Sequence, residues 1–318
     1  MAAGFDRGMG EVHNVLDTQA AEARAMSTAE SVLSALLRAL PVKHGRHRLL
    51  DKIKPEHWPH TSTLVKTRYK GHDLLIDADD LVGWHFLMLK SFDPEVSEVL
   101  CAVGHGSERQ VMWDIGANKG ACAYAVATSL PRSQIVLIEP QLALTDLLEH
   151  NMRELAPGRF ELRAVGVGTK EETLELIIPC DNKGRASLVL DLNSEDCRKI
   201  MVPMRTAQQI ADSSAFGWPT LAKIDVEGFE PQVFESLAPA LGERACEAIV
   251  FENHLWQSDA FGRILGVVQP CGYRVFAIRK SPFATQLQAC EAIVPEATDY
   301  AVIRDDLLAR PRVRKMLF

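Results

Sequence analysis

Several features that define other protein classes are absent from this 318-residue sequence. No apolar run approaches the roughly 20 residues that a transmembrane helix needs, so we expect no integral membrane segment. The seven cysteines are an odd number and form no Cys-x-x-Cys pair, which argues against a disulfide framework and favours reduced thiols in the cytoplasm. The net charge of -7 argues against nucleic-acid binding through a broad basic face.

Residues 111–120 resemble a nucleotide-binding loop but lack both common phosphate motifs. Three apolar residues lead into Asp114, a turn with Gly116 and Gly120 follows, and residues 121–129 have a helical composition. Such a strand, loop and helix place a ligand at the carboxyl end of the strand. The glycine spacing is neither that of a dinucleotide fingerprint nor that of a P-loop, and Asp114 would repel a phosphate. The loop therefore favours S-adenosylmethionine, which is cationic at its sulfonium and carries no phosphate. An ordinary tight turn or another nucleotide are the alternatives.

From residue 110 onward, apolar strand-like segments alternate with helical ones. This alternation predicts an α/β fold with a doubly wound (Rossmann-like), mostly parallel sheet and helices on both faces. The strand-like segments are residues 111–113, 135–138, 160–165, 221–224 and 248–251. Two later strands, 273–278 and 300–303, have no helical pattern between them, so we expect an antiparallel hairpin at one sheet edge. Residues 171–203 interrupt the alternation and are interpreted as an insertion over the site.

The first 105 residues are expected to be mainly helical, with one β-hairpin. Ser27 and Glu30 have the spacing of a capping box before an amphipathic helix, which could cover the core or pair with a second subunit in a homodimer. Residues 63–69 and 73–77 flank a glycine turn and predict the hairpin. We therefore predict two domains: an arm, hairpin and lid region at residues 1–105, and a cofactor-binding domain at residues 106–318.

Two His-x-x-His pairs lie in the N-terminal part of the chain, His44 with His47 and His57 with His60. Zinc binding is one interpretation of such pairs. No cysteine lies nearby, and the neighbouring arginines and lysines would repel a cation. We therefore interpret the four histidines as solvated.

Acidic residues follow the second and the fourth predicted strands. Glu139 ends the second strand, where a carboxylate can accept both hydroxyls of a ribose, although a strand-end cap is the alternative. Alternation along the fourth strand turns Lys223, Asp225 and Glu227 to the same side. Charges buried without partners are costly, and an ion pair would explain only two of the three, so we favour an active site. The fifth strand adds Glu252 to the same rim, followed by Asn253 and His254.

These motifs resemble those of the FkbM family of S-adenosylmethionine-dependent methyltransferases over approximately residues 71–304. The matching segments are Asp114-Ile115-Gly116-Ala117-Asn118-Lys119-Gly120, Glu139-Pro140, Lys223-Ile224-Asp225-Val226-Glu227-Gly228-Phe229-Glu230, the pair Glu252 and His254, and the insertion motif Asn182 to Leu188. The chain departs from the family at Ala207-Gln208, where Leu-Asp is typical. It departs again at Phe92-Asp93, where Tyr-Glu often precedes the proline. These departures concern substrate contacts.

The resemblance implies O-methylation of a hydroxyl on a sugar, a glycan or a secondary metabolite. The residues expected to bind S-adenosylmethionine are Asp114, Ile115, Gly116, Ala117, Asn118, Gly120, Glu139 and Asp225. Asp225 is the first candidate for the general base and His254 the second, while Lys223 would orient Asp225 or hold substrate.

Glu227 and Glu252 would bind substrate hydroxyls or a divalent ion. No metal site is predicted, but a metal-assisted O-methyltransferase stays open because Asp225, Glu227 and Glu252 carry hard oxygen ligands. A cofactor-binding scaffold without turnover is the other alternative. We expect a small-molecule or glycan acceptor and no nucleic-acid partner.

Overall fold

The computed structural model describes residues 20–53, 64–179, 186–189, 197–253 and 258–318. An eight-stranded sheet forms the centre of the molecule. From one edge to the other, its strands are β13 (Thr285–Ala289), β12 (Tyr273–Lys280), β14 (Asp299–Arg304), β11 (Ala248–Glu252), β10 (Leu221–Ile224), β4 (Val111–Ile115), β5 (Gln134–Ile138) and β6 (Phe160–Arg163). The carboxyl ends of β4, β5, β10 and β11 define the sheet edge at which the predicted site lies.

The five strands from β11 to β6 are parallel, and β14, β12 and β13 form an antiparallel unit next to them. The predicted doubly wound sheet with an antiparallel edge is therefore confirmed. The predicted two-stranded hairpin is corrected in one respect, because β14 lies between β11 and β12, and β13 forms the edge. β13 was missed because its inward positions offer only Thr285 and Leu287, which alternate with half-buried polar residues.

Helices cover both faces of the sheet, and all five positions of β4 are buried as a result. One face packs against α4 (Pro94–Gly104), α5 (Ala121–Ser129), α6 (Leu142–Leu155) and α11 (Pro311–Arg314). The other face packs against α7 (Ala207–Ser213), α8 (Glu230–Ser236), α9 (Ala238–Gly242) and α10 (Ser258–Val268). The two apolar cores hold the strand ends rigidly, so that their polar residues keep a fixed arrangement.

The N-terminal part contains the predicted hairpin and helices. Strand β2 (Leu64–Tyr69) pairs antiparallel with β3 (His72–Asp77) and parallel with β1 (Arg24–Ala25). Helix α1 (Thr28–Ala39) begins with the predicted capping box, α2 (Arg46–Leu50) follows, and α3 (Leu81–Leu89) is almost wholly buried. Their apolar side chains belong to the same core as α4 and α5. The domain boundary near residue 105 stays a prediction.

The histidines at 44 and 47 are not solvated, which corrects their interpretation. His44 lies 3.5 Å from the Glu95 carboxylate, and His47 Nδ1 lies 2.9 Å from His85 Nδ1. Both histidines are partly buried. His57 and His60 lie outside the described residues.

The segment after β6 forms a small second sheet of β7 (Gly166–Val167), β9 (Cys197–Arg205) and β8 (Glu172–Pro179). It has its own apolar cluster, made of Leu176, Ile178, Val202 and Met204. Phe229, in the turn that follows β10, packs against this cluster, so the insertion contacts the carboxyl end of the main sheet.

Candidate active site

Two neighbouring cavities open at the carboxyl ends of β4, β5, β10 and β11. The first, here called the acidic cavity, has a volume of about 170 Å³. Its carboxyl-bearing wall residues are Asp93, Asp225, Glu227, Glu252 and Asp299. The second, here called the apolar cavity, has about 60 Å³, and its wall includes Glu139 among Ile138, Val165, Val167, Leu176 and Phe229. Asn118, Asp225 and Glu227 line both cavities, so the two are parts of one site.

The glycine turn after β4, residues 116–120, forms the floor between the cavities. The N–H groups of Gly116 and Ala117 donate to Ile138 O at 2.9 and 3.2 Å, which ties the turn to β5. Gly116, Asn118 and Gly120 all have positive φ angles. A Cβ at position 116 would lie 1.9 Å from Asp225 O, so only glycine lets the turn pack against the end of β10.

Asp114 is fully buried behind this turn. Its Oδ2 accepts a hydrogen bond from Ala123 N at 3.1 Å, at the start of α5, and its Oδ1 lies 3.7 Å from Lys223 Nζ. Burial raises the pKa of Asp114, and the Lys223 ammonium opposes that shift. Among the described wall residues of the two cavities, neither Asp114 nor Gly120 is found. The structure thus places these two predicted cofactor-binding residues where they support the turn, whereas Ile115, Gly116, Ala117 and Asn118 reach the walls.

Lys223 connects β10 with the glycine turn. Its ammonium donates to Gly116 O at 2.6 Å and lies 3.1 Å from Asp225 Oδ2. Burial would lower the pKa of Lys223, but Asp225 and Asp114 outweigh it and raise that pKa above its ordinary value. Lys223 therefore stays charged and pairs with Asp225 at the junction of the cavities. That Lys223 orients Asp225 or holds substrate stays a prediction.

Glu139 lies at the end of β5 and is almost fully buried. Its two carboxylate oxygens accept from Gln141 N at 2.9 Å and Asn118 N at 2.8 Å. Burial raises the pKa of Glu139, and both N–H groups oppose the shift. The carboxylate is thus fixed on the wall of the apolar cavity, with lone pairs left for a diol.

Asp225, Glu227 and Glu252 converge in the acidic cavity. One carboxylate oxygen from each lies within 4.8 Å of the others, a spacing that could hold a divalent ion. Glu227 has a positive φ of 53°, and its carbonyl accepts from Ser187 Oγ of the insertion at 2.6 Å. His254 and residues 182–185 of the insertion motif lie outside the described residues.

Glu230 holds the turn that carries Asp225 and Glu227. Its carboxylate accepts from Val226 N at 3.1 Å and from Gly228 N at 3.0 Å, and its side chain is buried at the start of α8. The sequence contains Glu230 within the family motif, but the prediction gave it no role. An acidic residue in the first turn of a helix is the signal that could have found it.

Comparison with known families identifies the chain. The family model of the methyltransferase FkbM domain matches residues 114–275, about half of the sequence. The chain belongs to the FkbM methyltransferase family. It is therefore an S-adenosylmethionine-dependent methyltransferase, as the sequence resemblance implied. No match was found among curated proteins.

Solved methyltransferases resemble this methyltransferase only distantly. An S-adenosylmethionine-dependent O-methyltransferase from Thermotoga maritima is 12% identical with a TM-score of 0.38, over 76% of this chain and 77% of its own. A precorrin-6y C5,15-methyltransferase from Geobacter metallireducens is 13% identical with a TM-score of 0.37, over 66% of this chain and 89% of its own. A tRNA (uracil-54, C5)-methyltransferase from Pyrococcus abyssi is 10% identical with a TM-score of 0.37, over 76% of this chain and 43% of its own. At identities this low, their substrates say nothing about the acceptor of this methyltransferase.

Three charged wall residues of the acidic cavity were not predicted: Asp93, Lys119 and Asp299. Lys119 Nζ donates to Asp77 O at 2.8 Å and pairs with Asp79 and Asp80 at 2.6 and 2.9 Å. Nothing local in the sequence marks these contacts, because each joins segments that are distant in the chain. No helix of the described residues combines the length and the apolar character needed to cross a membrane.

Proposed function

We propose that this methyltransferase transfers the methyl group to a hydroxyl of a sugar, a glycan or a secondary metabolite. The observation that carries the proposal is the position of Asp225, which lines both cavities while Lys223 holds one of its oxygens. A carboxylate at this junction would lie next to both a methyl donor bound in one cavity and a methyl acceptor bound in the other. A base at that point suits an acceptor that loses a proton, as a hydroxyl does.

The apolar cavity suits the adenosine part of the donor. Glu139 would accept the two ribose hydroxyls, and Asn118 borders the same space. Apolar side chains on the wall, including Leu176 of the insertion and Met204 directly after it, would enclose the adenine ring. The insertion would thus cover the cofactor, in line with the sequence-based expectation that it lies over the site.

The acidic cavity would take the methionine end of the donor and the acceptor. When bound, S-adenosylmethionine supplies an electrophilic methyl group on a sulfonium, so alignment of the hydroxyl is the main task of the chain. Asp225 Oδ2 stays with Lys223 Nζ, which leaves Oδ1 to accept the hydroxyl proton. Glu227 and Glu252 would accept hydrogen bonds from other acceptor hydroxyls. His254 stays the second candidate for the base.

Two measurements test the proposal. S-adenosylhomocysteine at millimolar concentration should raise the melting temperature, and incubation with labelled S-adenosylmethionine should add methyl groups to a pool of glycans or metabolites, seen by mass spectrometry. Asp225→Asn should lower turnover at least ~100-fold, a larger factor than any loss of S-adenosylhomocysteine affinity. The matched control is Asp212→Asn, on the exposed side of α7. Cofactor binding without methyl transfer to any hydroxyl compound would favour the scaffold alternative instead.

A metal-assisted reaction is a second candidate, favoured by the convergence of Asp225, Glu227 and Glu252. In that case, dialysis against EDTA abolishes turnover, Mg²⁺ restores it, and S-adenosylhomocysteine binding is unaffected. Turnover that survives EDTA supports the metal-free mechanism.

Three further expectations stay predictions. The absence of a nucleic-acid partner is tested by RNA and DNA binding at increasing salt, since phosphate contacts would weaken steeply. The cytoplasmic location is compatible with the six described cysteines, all of which are free. Sedimentation of the purified protein tests the homodimer.

A further inference from the structure

Asp93 precedes α4 as an N-cap residue, yet its side chain makes no capping hydrogen bond. An N-cap aspartate normally has extended backbone angles and accepts a bond from an N–H of the first turn. Here φ is 40° and ψ is 61°, in the left-handed region that non-glycine residues rarely adopt. Unfavourable backbone angles of this kind occur preferentially at functional sites.

Asp93 lines the acidic cavity together with Phe92 and Asp299, so its unusual backbone angles occur at the candidate site. Burial and the carboxyl groups of Asp299, Glu95 and Asp225 raise the pKa of Asp93 well above its ordinary value, and Lys280 only partly opposes them. The Lys280 ammonium is bonded to Glu95 and to Asp299, the latter at 2.8 Å. The raised pKa favours the protonated form of the Asp93 carboxyl, which can donate a hydrogen bond as well as accept one.

The remaining charges of the cavity disfavour an anionic acceptor. Four further carboxyl groups line it, from Asp225, Glu227, Glu252 and Asp299. The two lysines on its described wall already have carboxylate partners, since Lys223 pairs with Asp225 and Lys119 with Asp79 and Asp80. An acid group on the acceptor would meet like charges without a free cation. Carboxyl groups do, however, bind hydroxyls well, as donors when protonated and as acceptors when ionised.

We propose that Asp93 and Asp299 together bind the methyl acceptor, Asp93 as a hydrogen-bond donor and Asp299 as a hydrogen-bond acceptor. This pair selects an uncharged, polyhydroxylated molecule over an anionic one. The inference deepens the proposed function and rests on it. Asp93 donates a hydrogen bond to one acceptor oxygen, and Asp299 accepts one from a hydroxyl. Asp299 is held for this role by Lys280 and by Thr298 Oγ1 at 3.0 Å.

The selection is tested by dividing the glycan and metabolite pool on ion-exchange columns into neutral, anionic and cationic fractions. With labelled S-adenosylmethionine, the neutral fraction should gain at least about tenfold more label than the anionic one. Label that enters mainly the anionic or the cationic fraction overturns the selection but leaves the methyltransferase function intact. Label in no fraction, with S-adenosylhomocysteine still bound, overturns both.

The role of Asp93 is tested with two variants that both suit a positive φ. Asp93→Gly removes the carboxyl without backbone strain, whereas Asp93→Asn keeps a donor of the same shape. The apparent KM for the neutral fraction should rise at least about tenfold in Asp93→Gly and stay within about threefold in Asp93→Asn, with kcat changed less than KM. S-adenosylhomocysteine affinity should be unchanged in both variants, and Asp212→Asn should match the wild type. Equal KM values in Asp93→Gly and Asp93→Asn would overturn the role, since a purely structural residue does not distinguish them.

Discussion

Gly116 is the residue at which the turn between the two cavities tolerates no side chain. A Cβ there would lie 1.9 Å from Asp225 O, and the φ angle is +73°. Gly158 has nearly the same φ, +70°, but nothing within 4 Å of its missing Cβ. Gly158→Ala should therefore cost about 1 kcal/mol of stability, from the backbone angle alone.

Gly116→Ala should cost several kcal/mol more, because the clash with the Asp225 carbonyl adds to the same backbone penalty. It should also abolish the rise in melting temperature caused by S-adenosylhomocysteine. Urea unfolding of the two variants and a thermal shift assay measure both effects. Equal losses of stability in the two variants would contradict the close packing described for this turn.

Lys223 is the second residue with a sharp expected outcome. Lys223→Met leaves the Asp114 and Asp225 carboxylates without their cation, and the loss of one partner of a buried ion pair costs about 3–5 kcal/mol. Adding Asp114→Asn removes the fully buried carboxylate, so the double variant should recover part of that loss. A double-mutant cycle from urea unfolding measures the coupling. Strict additivity of the two single effects would show that Lys223 and Asp114 do not interact.

Some cavity residues could be predicted from their neighbours in the sequence, whereas others are recognised only in the folded structure. Glu139 and Asp225 could be predicted, because each follows an apolar run that reads as a buried strand. For Asp93 the sequence shows only a departure from the family pattern, because an aspartate before a proline has the pattern of a helix start, which does not show where the side chain lies. The sequence predicts Asp114 as a cofactor-binding residue, but it does not show that Asp114 lies behind the turn, 3.7 Å from the Nζ of Lys223, which is more than 100 residues later.

At the scale of elements, the connection from β3 to α3 supports the glycine turn through Lys119. This ammonium has three acceptors, Asp77 O, Asp79 and Asp80, and Asp80 also caps α3 at Gly83 N. Lys119→Met should weaken S-adenosylhomocysteine binding about tenfold, because the turn loses its anchor to the N-terminal region. Calorimetric titration measures the affinity.

The matched control for Lys119→Met is Lys170→Met, which breaks an exposed ion pair with Glu172. Exposed pairs contribute about 0–1 kcal/mol, so this variant should bind S-adenosylhomocysteine like the wild type and lose little stability. If Lys119→Met behaves in the same way, the contact between the N-terminal region and the turn has no part in cofactor binding.

Elements could be predicted where burial dictates their composition. The central parallel strands β4, β5, β10 and β11 are mostly apolar because helices cover both faces, and the sequence shows them clearly. Strand β13 escaped prediction because it buries only Thr285 and Leu287 at the sheet edge. The position of β14 between β11 and β12 also could not be predicted, since strand order depends on pairing between distant segments rather than on local pattern.

At the scale of the whole molecule, two buried groups make folding depend on pH in separate ranges. Burial and the neighbouring His85 lower the pKa of His47 to about 4 from 6.5. The unfolded chain therefore binds this proton below pH 6.5 and the folded chain does not, so stability falls as the pH drops from 6.5 to 4. Burial opposes ionisation of Glu95, but His44 and Lys280 outweigh it and lower its pKa to about 2 from 4.5. The stability that the Glu95 carboxylate contributes is therefore lost as the pH falls from 4.5 to 2.

His47→Gln separates the two ranges, because it removes the first titration and keeps the second. Between pH 7 and pH 5, the stability of the wild type relative to His47→Gln should fall by roughly 2 kcal/mol, since each unit of a pKa shift corresponds to about 1.4 kcal/mol. The other carboxyl groups titrate alike in both proteins, so the difference between two series of urea unfolding curves isolates the His47 proton. A difference that stays constant across this range would mean that His47 binds its proton in the folded protein as it does in the unfolded chain. The contact between His47 and His85 would then require a different arrangement of protons, because two protonated rings repel each other at 2.9 Å.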